Sequence, residues 1–211
     1  AIGATNNDGS FSNAGHVRVY DLKDGAWVQA GSDIDGEAAG DLFGASVSLS
    51  SDGTRVAIGA TNNDGTGSNA GHVRVYDLTD GAWVQTGSDI DGEAAGDRFG
   101  TSVSLSSDGT RVAIGAEGND NFAGGVRVYD WTDGAWVQAG SDIDGKAEYD
   151  RSGSSVSLSS DGTRVAIGAP YNDGSFSNAG HVRVHSMSTS SPGSAPAPAP
   201  APYSGPIPTN Y

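Results

Sequence analysis

Apolar and polar residues alternate in short runs along the chain. Between residues 46 and 86 four such runs stand out, Ser46–Ser50, Arg55–Ala60, Gly71–Tyr76 and Ala82–Thr86, and a period of two over such lengths predicts strands, here A to D. Val47 and Leu49 fall on one side of strand A and Ser46, Ser48 and Ser50 on the other, while strand B sets Val56 and Ile58 against Ala57 and Gly59. Each sheet thus has a bulky face and a small one, which lets neighbouring sheets stack closely. Asp52-Gly53 and Asp80-Gly81 separate A from B and C from D, and Asp-Gly tolerates the positive φ of tight hairpins. Longer Gly- and Asn-rich connections, TNNDGTGSNAG and SDIDGEAAGDRFG, join B to C and D to the next A. No stretch shows a useful 3.6-residue apolar period, so helix should be nearly absent.

The pattern repeats. AIGA begins at Ala1, Ala57, Ala113 and Ala166, spacings of 56, 56 and 53, and SVSLSSDGTRV and AWVQ keep the same step. The three-residue loss lies between Ala116 and Val126, in a connection, where length varies most cheaply. A repeated four-stranded antiparallel unit of about 50 residues predicts an all-β, β-propeller-like fold. Trp27, Trp83 and Trp136, at the start of each strand D, read as packing aromatics on the blade edge rather than a sugar platform. In order the chain carries B-C-D, A-B-C-D, A-B-C-D and A-B-C. The repeats occupy 1–186, with full units at 46–99 and 102–150 and the last partial unit at 155–185; a Pro/Ala/Ser-rich tail fills 187–211. The fourteen strands amount to three and a half blades with unpaired edges, to be covered by a longer array, by a second copy completing a seven-bladed ring, or by copies adding head to tail into a filament.

Composition narrows the chemistry. There are 11 Lys+Arg against 26 Asp+Glu, a formal charge of −15, which argues against nucleic acid or an anionic membrane as partner. Cysteine is absent, removing disulfides, thiolate nucleophiles and Cys-ligated zinc. No apolar run approaches the roughly 20 residues of a membrane span, and the opening AIGATNN, without Met, reads as processed or cut from something longer. His16, His72 and His181 recur in GHVRV, but Gly125 takes that place in the third copy, which favours a structural role over catalysis. Serines lie in strand alternation with no strand-turn-helix elbow, and near-identical repeats give carboxylates similar surroundings rather than the unlike pair of a glycosidase. The expectation is that the chain is not an enzyme.

The motif F-G-x-S-V-S-L-S-S-D-G-T-R-V-A-I-G-A followed by G-H-V-R-V-Y resembles the FG-GAP repeat of integrin α-subunit propellers and of large secreted or surface proteins of algae and marine bacteria. Phe43-Gly44 and Phe99-Gly100 match the FG element, Gly168-Ala169-Pro170 is the one full GAP, and Ser152-Gly153 departs from Phe-Gly. The resemblance implies a propeller-like fold with adhesive or structural use. Integrin-type repeats carry a calcium loop between their first two strands, whereas here that connection is the tight hairpin Ser51-Asp52-Gly53-Thr54. Acidic residues gather instead in the D-to-A connection: Asp33, Asp35, Glu37 and Asp41; Asp89, Asp91, Glu93 and Asp97; Asp142 and Asp144, with Lys146 in place of the third Glu. Alternate carboxylates on an extended segment offer hard oxygens suited to Ca²⁺, and equally make solvated turns.

Seven of the eight prolines fall in the tail, all at even positions, with strict Ala-Pro alternation from Ala195 to Pro202. The plain reading is an extended polyproline spacer. In a strand, however, every missing donor would face away from a partner, leaving Ala195, Ala197, Ala199 and Ala201 to pair, with Tyr203, Ile207 and Tyr211 as apolar anchors between subunits. The alternation also resembles hydroxyproline-rich wall glycoproteins, which implies O-glycans on Pro196, Pro198, Pro200 and Pro202, and Ser188, Thr189, Ser190 and Ser191 read as a second stretch. The expectation is an extracellular or cell-surface structural protein whose partners are copies of itself, with glycans or matrix as further partners. The alternative is a Ca²⁺-dependent adhesion or glycan-binding module.

Overall fold

The computed structural model describes residues 1–174 and 176–187. The tail strand, its anchors and the O-glycan acceptors expected above lie outside the described residues. Among the described residues strand makes up 48% and helix 2%, the latter a single four-residue turn at Asn119–Phe122 that sits at the three-residue deletion. Four antiparallel sheets follow in chain order. Blade 1 pairs β1 (Ile2–Ala4), β2 (His16–Arg18) and β5 (Ile34–Asp35), with β3 (Tyr20–Lys23) and β4 (Ala26–Gln29) forming a separate hairpin. Blade 2 has the order β6 (Phe43–Leu49), β7 (Arg55–Ala60), β8 (His72–Thr79), and both β9 (Ala82–Gln85) and β10 (Ile90–Asp91) pair with β8. Blade 3 repeats this with β11 (Phe99–Leu105), β12 (Arg111–Ala116), β13 (Gly125–Thr132), β14 (Ala135–Gln138) and β15 (Ile143–Asp144). Blade 4 is β16 (Ser155–Leu158), β17 (Arg164–Ala169) and β18 (His181–Ser186).

The described residues hold eighteen strands rather than fourteen, for two local reasons. In blade 1 strand C breaks around Val19, and each Ile-Asp of the D-to-A connection, expected to be loop, adds a short strand to the N-terminal half of C. Strand A also begins earlier than its alternation suggests, at Phe43, because a bulge between Phe43 and Ser46 interrupts the period; Gly44 there has φ of 90°.

The two faces expected of each sheet have opposite partners. On the trailing face, Val47, Leu49, Val56, Ile58, Tyr76 and Trp83 pack against Val17 and Ile34 of blade 1. On the leading face, Ala57, Val73, Val75 and Ile90 pack against Val103, Leu105, Val112, Ile114, Tyr129 and Trp136 of blade 3. Blades 3 and 4 meet in the same way through Ala113, Val126 and Val128 against Val156, Leu158, Val165 and Ile167. The cores therefore lie between blades, and each fully buried isoleucine there contributes roughly 1.5–3 kcal/mol. Polar residues of the small face fix the register. Ser46 Oγ donates to the Gly100 carbonyl at 2.7 Å, Leu105 N donates to Ser48 Oγ at 3.0 Å, and the third junction repeats both bonds with Ser102 and Ser104. A Cβ on Gly59 would lie 2.2 Å from the Gly100 carbonyl oxygen, so glycine sets how closely the sheets approach.

Candidate functional site

Two features stand out: a line of ion pairs that crosses the first two junctions, and the two end faces. The first begins with the arginine of GHVRV, which lies on the trailing face opposite Ile58 or its counterpart. Arg74 grips Asp89 of its own blade through two hydrogen bonds, of 3.0 and 2.8 Å, and also donates to Glu37, which arrives from the connection leaving blade 1. Arg127 binds Asp142 at 2.8 Å and Glu93 of the preceding connection at 2.8 Å, and Arg18 binds Asp33 at 2.7 Å. Burial opposes the charge on Arg74, but its bonds to Asp89 and Glu37 outweigh that and hold it firmly protonated. Bonds from Arg18 and then Gln29 pull the Asp33 carboxyl down to about 2. Desolvation, then the neighbouring Arg74, lowers the pKa of buried His72, so its imidazole is neutral near pH 7.

The acidic residues picked out in sequence therefore divide among different partners. Asp33, Asp89 and Asp142 bind the arginine of their own blade, with Gln29, Gln85 and Gln138 as second donors. Glu37 and Glu93 cross to the next blade. Asp41 is buried and accepts from Asn63 at 2.9 Å, and Asp97, also buried, accepts from its own turn at Ala94 N. Asp35, Asp91 and Asp144 lie in the short strands β5, β10 and β15. Among the described residues two groups bring ligand atoms within 4.8 Å of one another, His16 with Asp33 and Asp35, and Glu37 with His72 and Asp89. In both, an arginine already neutralises a carboxylate, so a divalent cation would compete with a guanidinium. The arginines were not singled out in sequence, although their signal, a basic residue two places after each His or Gly125, repeats in all four copies. The Ser51–Thr54 hairpin is closed by its own carboxylate: Asp52 Oδ1 accepts from Ser50 Oγ at 2.6 Å and from Thr54 N at 3.0 Å, which lowers its pKa to about 2.

The second feature is at the ends. Val73, Val75, Val126 and Val128 are buried at internal junctions, whereas their counterparts on the leading face of blade 4, Val182 and Val184, are 68% and 64% exposed. Ile58, Ile114 and Ile167 are buried, whereas their counterpart on the trailing face of blade 1, Ile2, is 62% exposed, and Trp27 beside it is 70% exposed. Ala1, Ile2, Tyr20 and Trp27 line a shallow apolar recess there.

Residues 33–76 and 88–129 each match the family model described as FG-GAP repeat. No curated protein matches the chain. Among solved structures it is similar to TolB from Acinetobacter baumannii, with a TM-score of 0.46 and 17% identity over 83% of this chain and 38% of that one. It is also similar to a putative 6-phosphogluconolactonase from Bacteroides uniformis, with a TM-score of 0.46 and 13% identity over 72% of this chain and 40% of that one. The chain spans less than half the length of either. With two repeats matched and the same sheet order recurring along the molecule, the chain is an FG-GAP-like repeat protein with a β-propeller-like fold.

Proposed function

We propose that the chain is a non-enzymatic extracellular structural protein whose copies stack head to tail into a filament or surface layer, with residues 188–211 as linker or donated edge strand. One observation carries this reading. Every internal junction joins a leading face to a trailing face, and the described residues present one bare leading face, at Val182 and Val184, and one bare trailing face, at Ile2 and Trp27. A second copy brings the two together in a heterologous contact, which propagates unless its rotation closes a ring. Arg164 fits the same geometry. Its counterpart Arg55 lies over the rings of Trp131 and Trp136 in the next blade, at 5.4 and 5.8 Å, and in a stack Arg164 would face Trp27 of the neighbour. An outside location is supported by the FG-GAP repeats, typical of extracellular or surface proteins; among the described residues no helix is long and apolar enough to cross a membrane. Sedimentation velocity over a hundredfold concentration range tests the reading. A mean mass that climbs with concentration, with or without a chelator, is expected; a single monomeric species throughout overturns it.

The second reading, Ca²⁺-dependent adhesion to a glycan or matrix, draws on the His16 and His72 clusters. Calcium-dependent glycan capture by a monomer that does not self-associate would favour it.

A further inference from the structure

At the first two internal junctions an indole of strand D rests on the blade before it. Trp83 Nε1 donates to the Ala30 carbonyl at 2.8 Å, and Trp136 Nε1 to the Thr86 carbonyl at 3.1 Å. The ring covers the next residue, Gly31 or Gly87, so closely that an added Cβ would meet it at 2.9 or 3.1 Å. A third seat of the same build exists at Ala139 and Gly140, because Ala139 N donates to Val128 O just as Ala30 does to Val19 and Thr86 to Val75. No tryptophan reaches it: among the described residues blade 4 ends at β18, and nothing lies within 4 Å of a Cβ placed on Gly140. The result is a cleft of about 610 Å³ whose lining includes the apolar Val128, Val137, Ala139, Ile143 and Met187 together with the charged Arg111 and Asp130, beside an edge of β18 that pairs with no other strand among the described residues.

We propose that this cleft is a seat for an aromatic residue on an extended segment, and that the chain's own residues 188–211 fill it, a tyrosine taking the place of the absent tryptophan. The segment leaves from Met187, which itself lines the cleft, so its local concentration there is high. Residues 188–211 contain no Asp, Glu, Lys or Arg, so no side-chain charge opposes entry, and their only aromatics are Tyr203 and Tyr211. A phenol O–H can donate to the Ala139 carbonyl as the indole N–H does at the other seats. A direct hairpin from β18 cannot supply the ring. Met187 N donates to Thr163 O as Leu78 N does to Thr54 O, so the counterpart of Trp83 is Pro192, and Thr189-Ser190 replaces the Asp-Gly turn. The aromatic therefore comes from further along: Tyr203 and Tyr211 lie 16 and 24 residues after Met187, enough chain to fold back. The assignment narrows the segment's role in the proposed function from linker to closing strand, and it leaves Val182 and Val184 free for stacking.

Met187 is the only methionine in the chain, so labelling the methionine methyl of the full chain gives one NMR resonance. A seated ring shifts that methyl upfield. The expected result is an upfield position that does not change on dilution and moves back downfield in the Tyr203→Leu, Tyr211→Leu double variant. An identical methyl position in the double variant overturns the proposal, as does an upfield shift that fades on dilution, since the ring then comes from another copy. Sedimentation of the same samples reads stacking separately, so failure of the seat is distinguishable from failure of the assembly.

Discussion

The junction between blades 2 and 3 and that between blades 3 and 4 share one backbone plan and differ in side chains. At the first, Phe99 is buried with its ring edge-on to Tyr129 at 6.3 Å, Glu93 reaches Arg127, and Trp136 is seated. At the second, Ser152 and His185 stand where Phe99 and Tyr129 would, Lys146 replaces the glutamate, and the third seat lacks its indole. Arg183, the counterpart of Arg127, donates instead to the Asp144 carbonyl at 2.9 Å. Yet the main-chain features persist. Gly124 bridges to Ser152 as Gly71 does to Phe99, and Gly153 O accepts from Ser102 Oγ at 2.8 Å. The loss of Phe in Phe-Gly, which in sequence puts that anchor in doubt, removes the ring and keeps the bridge. Position is set by backbone and serine; strength is set by what fills the anchor, the ion pair and the seat.

Substitutions at matched positions sharpen this comparison. The largest difference belongs to the anchor. Phe99→Ala should cost about 3–5 kcal/mol in urea unfolding, since it empties a fully buried ring site, whereas Ser152→Ala should cost no more than about 1 kcal/mol; equal losses would break the distinction. Next come the tryptophans. Trp136→Ala should cost about 2–3 kcal/mol, less than a fully buried ring because the side chain is only partly covered, and the exposed Trp27→Ala less than about 0.5 kcal/mol in the monomer. Lys146→Glu, which restores a carboxylate for Arg183, should stabilise by at most about 1 kcal/mol, an effect that fades in high salt. The smallest effect is shared by both junctions. Asp52 and Asp161 close their hairpins with pKa values of about 2, lowered by hydrogen bonds from Ser50 and Ser159 and from Thr54 and Thr163. Because the folded values are depressed, their contribution is present above the ordinary carboxylate pKa of about 4 and is lost as pH falls from there toward 2. Asp52→Asn and Asp161→Asn should therefore flatten the fall of melting temperature across that window.

The strands and the two-faced sheet were legible because burial on both sides of a blade leaves alternation intact: Val47 and Leu49 contact one neighbour, and Ser46 and Ser48 bond the other. The ends of the elements were harder to see. Phe43 joins strand A across a bulge that destroys the period, and Ile90–Asp91 is too short to show one. Within the acidic connections, nearness in sequence did not predict nearness in space. Asp33 and Glu37 are four residues apart, yet Asp33 binds Arg18 and Glu37 binds Arg74 in the next blade. Such links depend on how one blade sits against another, and no local pattern encodes them.

Mixing two disabled copies tests the central claim most directly. Val184→Asp puts a charge on the bare leading face and Ile2→Asp on the bare trailing face, both at exposed positions. If the faces are the two halves of one repeated junction, each variant alone sediments as a monomer and an equimolar mixture forms dimers and nothing larger. Chains of either variant alone that still grow with concentration, or a mixture that stays monomeric while the unaltered protein assembles, would contradict it.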